Sequence, residues 1–151
     1  MNYGHRNEIN YAMLQSIGYK LRRAQMAYFD VFFEACAHEG ITPGLFSILA
    51  IMYHNPGLTQ TAVSEALEVD RSAMVAAIDK LEGMEVVERR KSKHDRRSYA
   101  LYLTETGKAF TERLHSKSIA GEEAFGTFMK EGEREGLLDI LDRIIMARKN
   151  N

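Results

Sequence analysis

Apolar side chains recur every three or four positions from residue 9 to residue 39, at Ile9, Met13, Ile17, Leu21, Ala24, Tyr28, Val31 and Ala35. That spacing marks one face of an α-helix. A helix of roughly thirty residues is long for a monomeric domain and normally finds a partner along its length. Gly40 offers its C-terminal stop. In TPGLFSILAIMY, Thr42 stands as an N-cap and Pro43 takes the first helical position, where a missing N–H costs nothing. The tripeptide NPG at 55–57 breaks the chain. Thr59 then caps a short helix, QTAVSEAL, and Asp70 caps another, RSAMVAAIDKLEGM, whose apolar face is Met74 or Val75, Ile78 and Leu81.

The period changes after residue 84. VVERRK and SYALYLT are β-rich, with Tyr99, Leu101 and Leu103 alternating against Ser98, Ala100 and Tyr102. Two such runs around a polar connection predict a β-hairpin. Thr104 caps a further long helix through Phe110, Leu114, Ile119, Phe125 and Phe128, and a last helix over about 134–148 carries the broad stripe Leu137, Leu138, Leu141, Ile144 and Ile145. The predicted order is helix, helix, short helix, helix, two-stranded hairpin, helix, helix.

Composition narrows the class without changing this order. With 151 residues, 45% apolar and 27% charged, the chain has the make-up of one soluble globular domain with extensions. No apolar run reaches the roughly 18 residues of a membrane span, and MNYGHRNEINYAM lacks a secretory layout. The expectation is a cytoplasmic protein. The lone cysteine, Cys36 in FFEACAH, reads as a small buried hydrophobe rather than a redox sensor. His5, His38, His54, His94 and His115 show no metal-ligand spacing, and no phosphate loop or nucleophile motif occurs. No cofactor, metal site or enzymatic activity is expected.

Charge changes the picture more. The net charge is −1, yet RRKSKHDRR at 89–97 holds six of the twenty Lys and Arg residues. Residues 86–97 sum to +4, while residues 122–142 sum to −5. A like-charge run needs either solvent around it or a polyanion opposite. By itself, a basic hairpin tip is more often a solvated turn. Here it directly follows two short helices joined by about three residues, a helix-turn-helix, which makes the whole a winged helix. The second helix then enters a DNA major groove with Arg71, Ser72 and Ala73, followed by Ala76 and Ala77. Lys91, Lys93, His94, Arg96 and Arg97 of the hairpin lie along the flanking minor groove, where a narrow groove attracts arginine. Asp95 and Arg97 are spaced for a local pair that holds the wing's shape.

DRRSYALYLTETG, residues 95–107, resembles the wing pattern DxRxxxLxLTxxG of the MarR family of bacterial transcriptional regulators, matching at Asp95, Arg97, Leu101, Leu103, Thr104 and Gly107. The flanking helices are similar in order and spacing over about residues 9–148. The resemblance implies a mainly α fold: a winged helix-turn-helix (42–104) between an N-terminal dimerisation helix (1–41) and C-terminal dimerisation helices (105–151), with a two-stranded wing. It implies a homodimer reading a pseudo-palindromic site on double-stranded DNA. It further implies a repressor released by a small aromatic or phenolic acid, with a pocket lined by Ile17, Leu21, Phe46, Met52 and Phe110. Arg22, Arg23, His38 or His54 would meet the carboxylate. Family members that sense peroxide carry a cysteine near the start of the first helix, a position Cys36 does not occupy. Two family glycines are replaced, by Glu68 before the recognition helix and by Glu85 after it. Either these turns take another conformation, or Gly83 moves the helix end forward. The competing reading from a different class is a winged-helix scaffold for protein–protein contacts, against which the wing's charge argues, because interface cores are depleted of charge.

Overall fold

The structure, a computed structural model, describes residues 12–93 and 97–149. Six α-helices and one hairpin follow the predicted order: α1 Ile17–Cys36, α2 Pro43–His54, α3 Gln60–Ala66, α4 Arg71–Gly83, β1 Val87–Lys91, β2 Tyr99–Leu103, α5 Glu105–Gly126 and α6 Glu133–Lys149. The expectation of one unbroken helix over 9–39 is corrected at both ends, and residues 9–11 lie outside the described residues. A 3₁₀ turn covers Ala12–Gln15, and α1 begins after it because Ser16 accepts a hydrogen bond from the Tyr19 N–H at 3.3 Å. At the other end the chain tightens into a 3₁₀ turn at Ala37–Glu39, and Gly40 closes it at φ +68°.

All four predicted caps form. Thr42, Thr59, Asp70 and Thr104 accept from the backbone N–H three residues on, at 3.3, 3.1, 2.9 and 2.9 Å. Each satisfies one of the donors that a helix start leaves open.

The core fills the space between the winged helix and the adjoining parts of α1 and α5. Leu49, Met52, Met74, Ile78, Leu81, Leu101 and Leu114 are its largest fully buried side chains. Of the two candidates on α4, Met74 is the core residue and Val75 is exposed. Cys36 is fully buried, and burial pushes its thiol above the ordinary cysteine value despite nearby Lys117. Among the described residues, no buried side-chain polar atom lacks a hydrogen-bond partner, and no helix is long and apolar enough to cross a membrane.

β1 and β2 pair antiparallel with Val87 opposite Leu103 and Lys91 opposite Tyr99. The simple alternation expected for β2 holds only in part, because both Ala100 and Leu101 are buried while Tyr99 is exposed. The chain after NPG explains this: the Gly57 N–H donates to the Leu101 carbonyl at 2.9 Å and the Leu101 N–H to the Leu58 carbonyl at 2.8 Å. Residues 57–59 thus run beside β2 without forming a strand of their own, with Thr59 bridged to Ala100.

Candidate nucleic-acid interface and the clefts behind it

The turn between α3 and α4 is built from two local devices. The Val69 N–H donates to the Ser64 carbonyl at 3.0 Å and the Glu68 N–H to the Glu65 carbonyl at 3.2 Å, the paired bonds of a Schellman helix end. Asp70 then starts α4, accepting from the Ala73 N–H and from the Ser72 hydroxyl at 2.7 Å. These donors, the Ser72 hydroxyl first, hold the Asp70 carboxyl below its ordinary range. Arg71, Ser72, Ala73 and Ala76 are exposed at the start of α4. Ala77 is half-buried and packs on the core, so it leaves the exposed face assigned to it from the sequence. That face continues instead through Val75, which the sequence offered as an alternative core position, and Asp79, which it did not single out.

Both replaced glycines sit in left-handed backbone, Glu68 at φ 53° and Glu85 at φ 60°. Neither alternative conformation nor a shifted helix end removes the strain. After α4, the Val86 N–H donates to the Leu81 carbonyl at 3.2 Å and the Glu85 N–H to the Glu82 carbonyl at 2.8 Å, repeating the Schellman pattern with Glu at the glycine position.

The basic run divides into two functional groups. Arg89 faces inward: its guanidinium bonds Asp79 at 2.7 Å, Glu82 at closer range, and Gln60 at 3.4 Å. One side chain of β1 thus ties the wing to both helices of the helix-turn-helix. Arg90 bonds Glu88 and lies over the Tyr102 ring, 4.3 Å from its centroid. Lys91, Lys93 and Arg97 are exposed toward the wing's tip. His94, Asp95 and Arg96 lie outside the described residues, and with them the anticipated Asp95–Arg97 pair.

Among the described residues, the five anticipated to line a ligand pocket are spread over separate clefts, the core and the surface. Phe46 lines a cleft of about 230 Å³ between α2 and α5, with Tyr53, His54, Glu112 and His115. Met52 is buried but touches a second cleft of about 640 Å³, which lies between α2, the wing's base and the start of α5. Leu21, with Arg22, faces an open groove among α1, α5 and α6. Phe110 is core, and Ile17 is 74% exposed at the start of α1. Of the remaining carboxylate candidates, Arg23 bonds the Tyr19 hydroxyl at 3.4 Å and His38 is exposed. The Tyr53 hydroxyl donates to Glu112 at 2.5 Å across the mouth of the α2–α5 cleft, which keeps its phenol above the ordinary tyrosine value. No group of His, Cys, Asp and Glu suited to a metal occurs among the described residues.

Comparison with known proteins agrees with this geometry. The model of the MarR family matches residues 41–99. A proposed transcriptional regulatory protein for the hcr operon of Thauera aromatica is 34% identical over 88% of this chain and 81% of its own length. Among solved structures, the transcriptional repressor CouR bound to a 23-mer DNA duplex is 34% identical, superposes with a TM-score of 0.86, and covers 91% of this chain and 99% of its own. The same repressor bound to p-coumaroyl-CoA is 31% identical with a TM-score of 0.82, over 93% and 98% of the two chains. The chain belongs to the MarR family of transcriptional regulators.

Proposed function

We propose that two copies of this chain form a cytoplasmic, sequence-specific repressor of double-stranded DNA that is released by a small aromatic ligand. The observation that carries the reading is the coupling made by Arg89, which joins α3, α4 and the wing into one unit. Small or cationic side chains stand exposed at the start of α4, and cations stand exposed on the wing. In a major groove Arg71 is suited to a guanine edge, and the small Ser72, Ala73 and Ala76 let the helix seat deeply. Lys91, Lys93 and Arg97, together with His94 and Arg96 of the wing's tip, supply the contacts to phosphate and minor groove.

The effector site is the α2–α5 cleft, where Phe46 and Tyr53 offer ring faces and His54 and His115 are available to a carboxylate. Release follows from population shift: a ligand that binds more tightly to the arrangement unable to hold both half-sites weakens DNA binding by that difference in affinity. The CouR complexes, one with DNA and one with an aromatic thioester, support both halves of the reading.

Fluorescence anisotropy against the DNA upstream of the protein's own gene, with a random duplex as control, tests it. The expected result is a preference for the upstream duplex and affinity that falls linearly in log–log form with salt, reversed by one of a panel of aromatic acids. Equal affinity for both duplexes at every salt concentration overturns sequence-specific regulation.

A further inference from the structure

The exposed large aliphatic side chains among the described residues lie on α1, α5 and α6, with one exception: Val75 on the recognition helix α4, 43% exposed. It stands apart from the apolar stripe of the terminal helices, on the face that the reading above turns toward DNA. One exposed valine is ordinary in itself, so its neighbours decide what it can do.

At about 100° per residue, Arg71, Val75, Asp79, Ser72 and Ala76 follow one another around α4, opposite the buried Met74, Ile78 and Leu81. Two of the polar groups on this face are engaged within the chain. The Ser72 hydroxyl donates its one proton to Asp70 at 2.7 Å, and Asp79 accepts from the Arg89 guanidinium at 2.7 Å. The second pair also offsets the negative charge that would set this face against phosphate. Ala73 and Ala76 end at Cβ and let the helix approach the floor of a major groove. Arg71 and Val75 are then the side chains that reach base edges, one cationic and one apolar. The major groove presents an apolar group at one base only, the C5-methyl of thymine.

We infer that Val75 reads that methyl, which makes it a specificity-determining residue and places a thymine opposite it in each half-site. The inference rests on the DNA-binding reading above and deepens it: Arg71 is suited to a hydrogen-bonded contact, whereas Val75 recognises a methyl alone. A cytosine carrying a 5-methyl group offers the same apolar edge, so Val75 also distinguishes methylated from plain cytosine at that position.

Duplexes selected by the full chain from a random pool, then resynthesised with uracil for thymine one position at a time, test this by fluorescence anisotropy. Uracil keeps every hydrogen-bonding group of thymine and lacks only the methyl. At one thymine per half-site, uracil is expected to weaken binding about fourfold, and about fifteenfold when both half-sites are changed, the scale of one buried methyl each. Val75→Ala binds the thymine duplex more weakly by a similar factor, and uracil at that position costs it nothing further. Val75→Thr, which keeps one methyl, retains part of the discrimination. With cytosine at that position, 5-methylation strengthens binding by the wild-type chain and leaves Val75→Ala unchanged. Thermal melts confirm that the variants fold. No uracil-sensitive thymine, or a uracil penalty equally large in Val75→Ala, overturns the inference and leaves sequence-specific DNA binding standing. Selection that enriches no sequence removes that reading, and the inference falls with it.

Discussion

Gly107 occupies the third position of α5, where a Cβ would sit 1.9 Å from the Val86 carbonyl oxygen and 2.8 Å from its carbon. Both are backbone atoms of the segment between α4 and the wing, and that carbonyl already accepts the Thr104 N–H at 3.1 Å. Neither chain can yield without breaking this junction. Gly107→Ala is expected to cost about 3 kcal/mol or more, the upper range for overpacking, read as a lower urea midpoint. Gly18→Ala, with nothing within 4 Å, gives no such loss. The glycine was visible in the sequence as part of a motif; its reason was not, because the contact joins residues 21 positions apart. Glu39 was equally hidden. Arg113 and Lys117 of α5 bond it at 3.2 and 2.9 Å and hold its carboxyl down from an ordinary 4.5 to about 2. A lowered pKa stabilises the fold above the unfolded value and loses that contribution as pH falls between 4.5 and about 2. Because both cations are over a third exposed, Glu39→Gln should cost only about 1 kcal/mol at pH 7. Urea melts of the two proteins should converge as pH approaches 2, and a constant gap down to that pH would rule the ion pairs out as the cause.

At the scale of elements, capped helix starts were legible with their cause, whereas the ends of α3 and α4 were placed to within about a residue without the backbone conformation that closes them. A start is announced locally by a side chain that caps it, as at Thr42, Thr59, Asp70 and Thr104. An end is announced by glycine, and α3 and α4 both end on glutamate in left-handed backbone. Glu68→Gly and Glu85→Gly each remove a steric cost of about 1 kcal/mol while keeping the Schellman bonds, and each should raise the melting temperature. A lowered melting temperature would mean that the glutamate side chains contribute more than the backbone loses. The coupling of wing to helix was also unreadable, since nothing in RRKSKHDRR distinguishes Arg89, turned toward Asp79 and Glu82, from Lys91, turned to solvent. Their substitutions are expected to separate. Lys91→Ala lowers DNA affinity and reduces the salt slope by about 1. Arg89→Ala lowers affinity by loosening the wing's attachment, with the slope unchanged. A reduced slope for Arg89→Ala would place its charge on a phosphate.

For the molecule as a whole, the apolar pattern of α6 predicted a helix correctly and left its purpose open. Leu137, Leu138, Ile140, Ile144, Ile145 and Met146 are each 40–55% exposed, and Phe128 just before the helix is 84% exposed. Ile17 and Met26 extend the exposed apolar surface onto α1. Single exposed apolar side chains are ordinary, but a continuous set on the two terminal elements marks an interface. In the proposed homodimer a second copy of the same surface covers it under two-fold symmetry, which would also place two recognition helices to read the two halves of one site. Sedimentation at micromolar concentration should therefore give twice the 17.2 kDa chain mass. Leu138→Asp combined with Ile145→Asp should give a folded monomer, because a buried like-charge pair across the interface costs more than the contact returns. That monomer keeps its winged helix but binds half-sites singly, so its affinity for the full site should fall by about 10²–10⁴, the range set by effective concentration. A wild-type chain that sediments as a monomer, or a double variant that remains dimeric, would separate the exposed stripe from assembly and leave the fit to two half-sites without a physical basis.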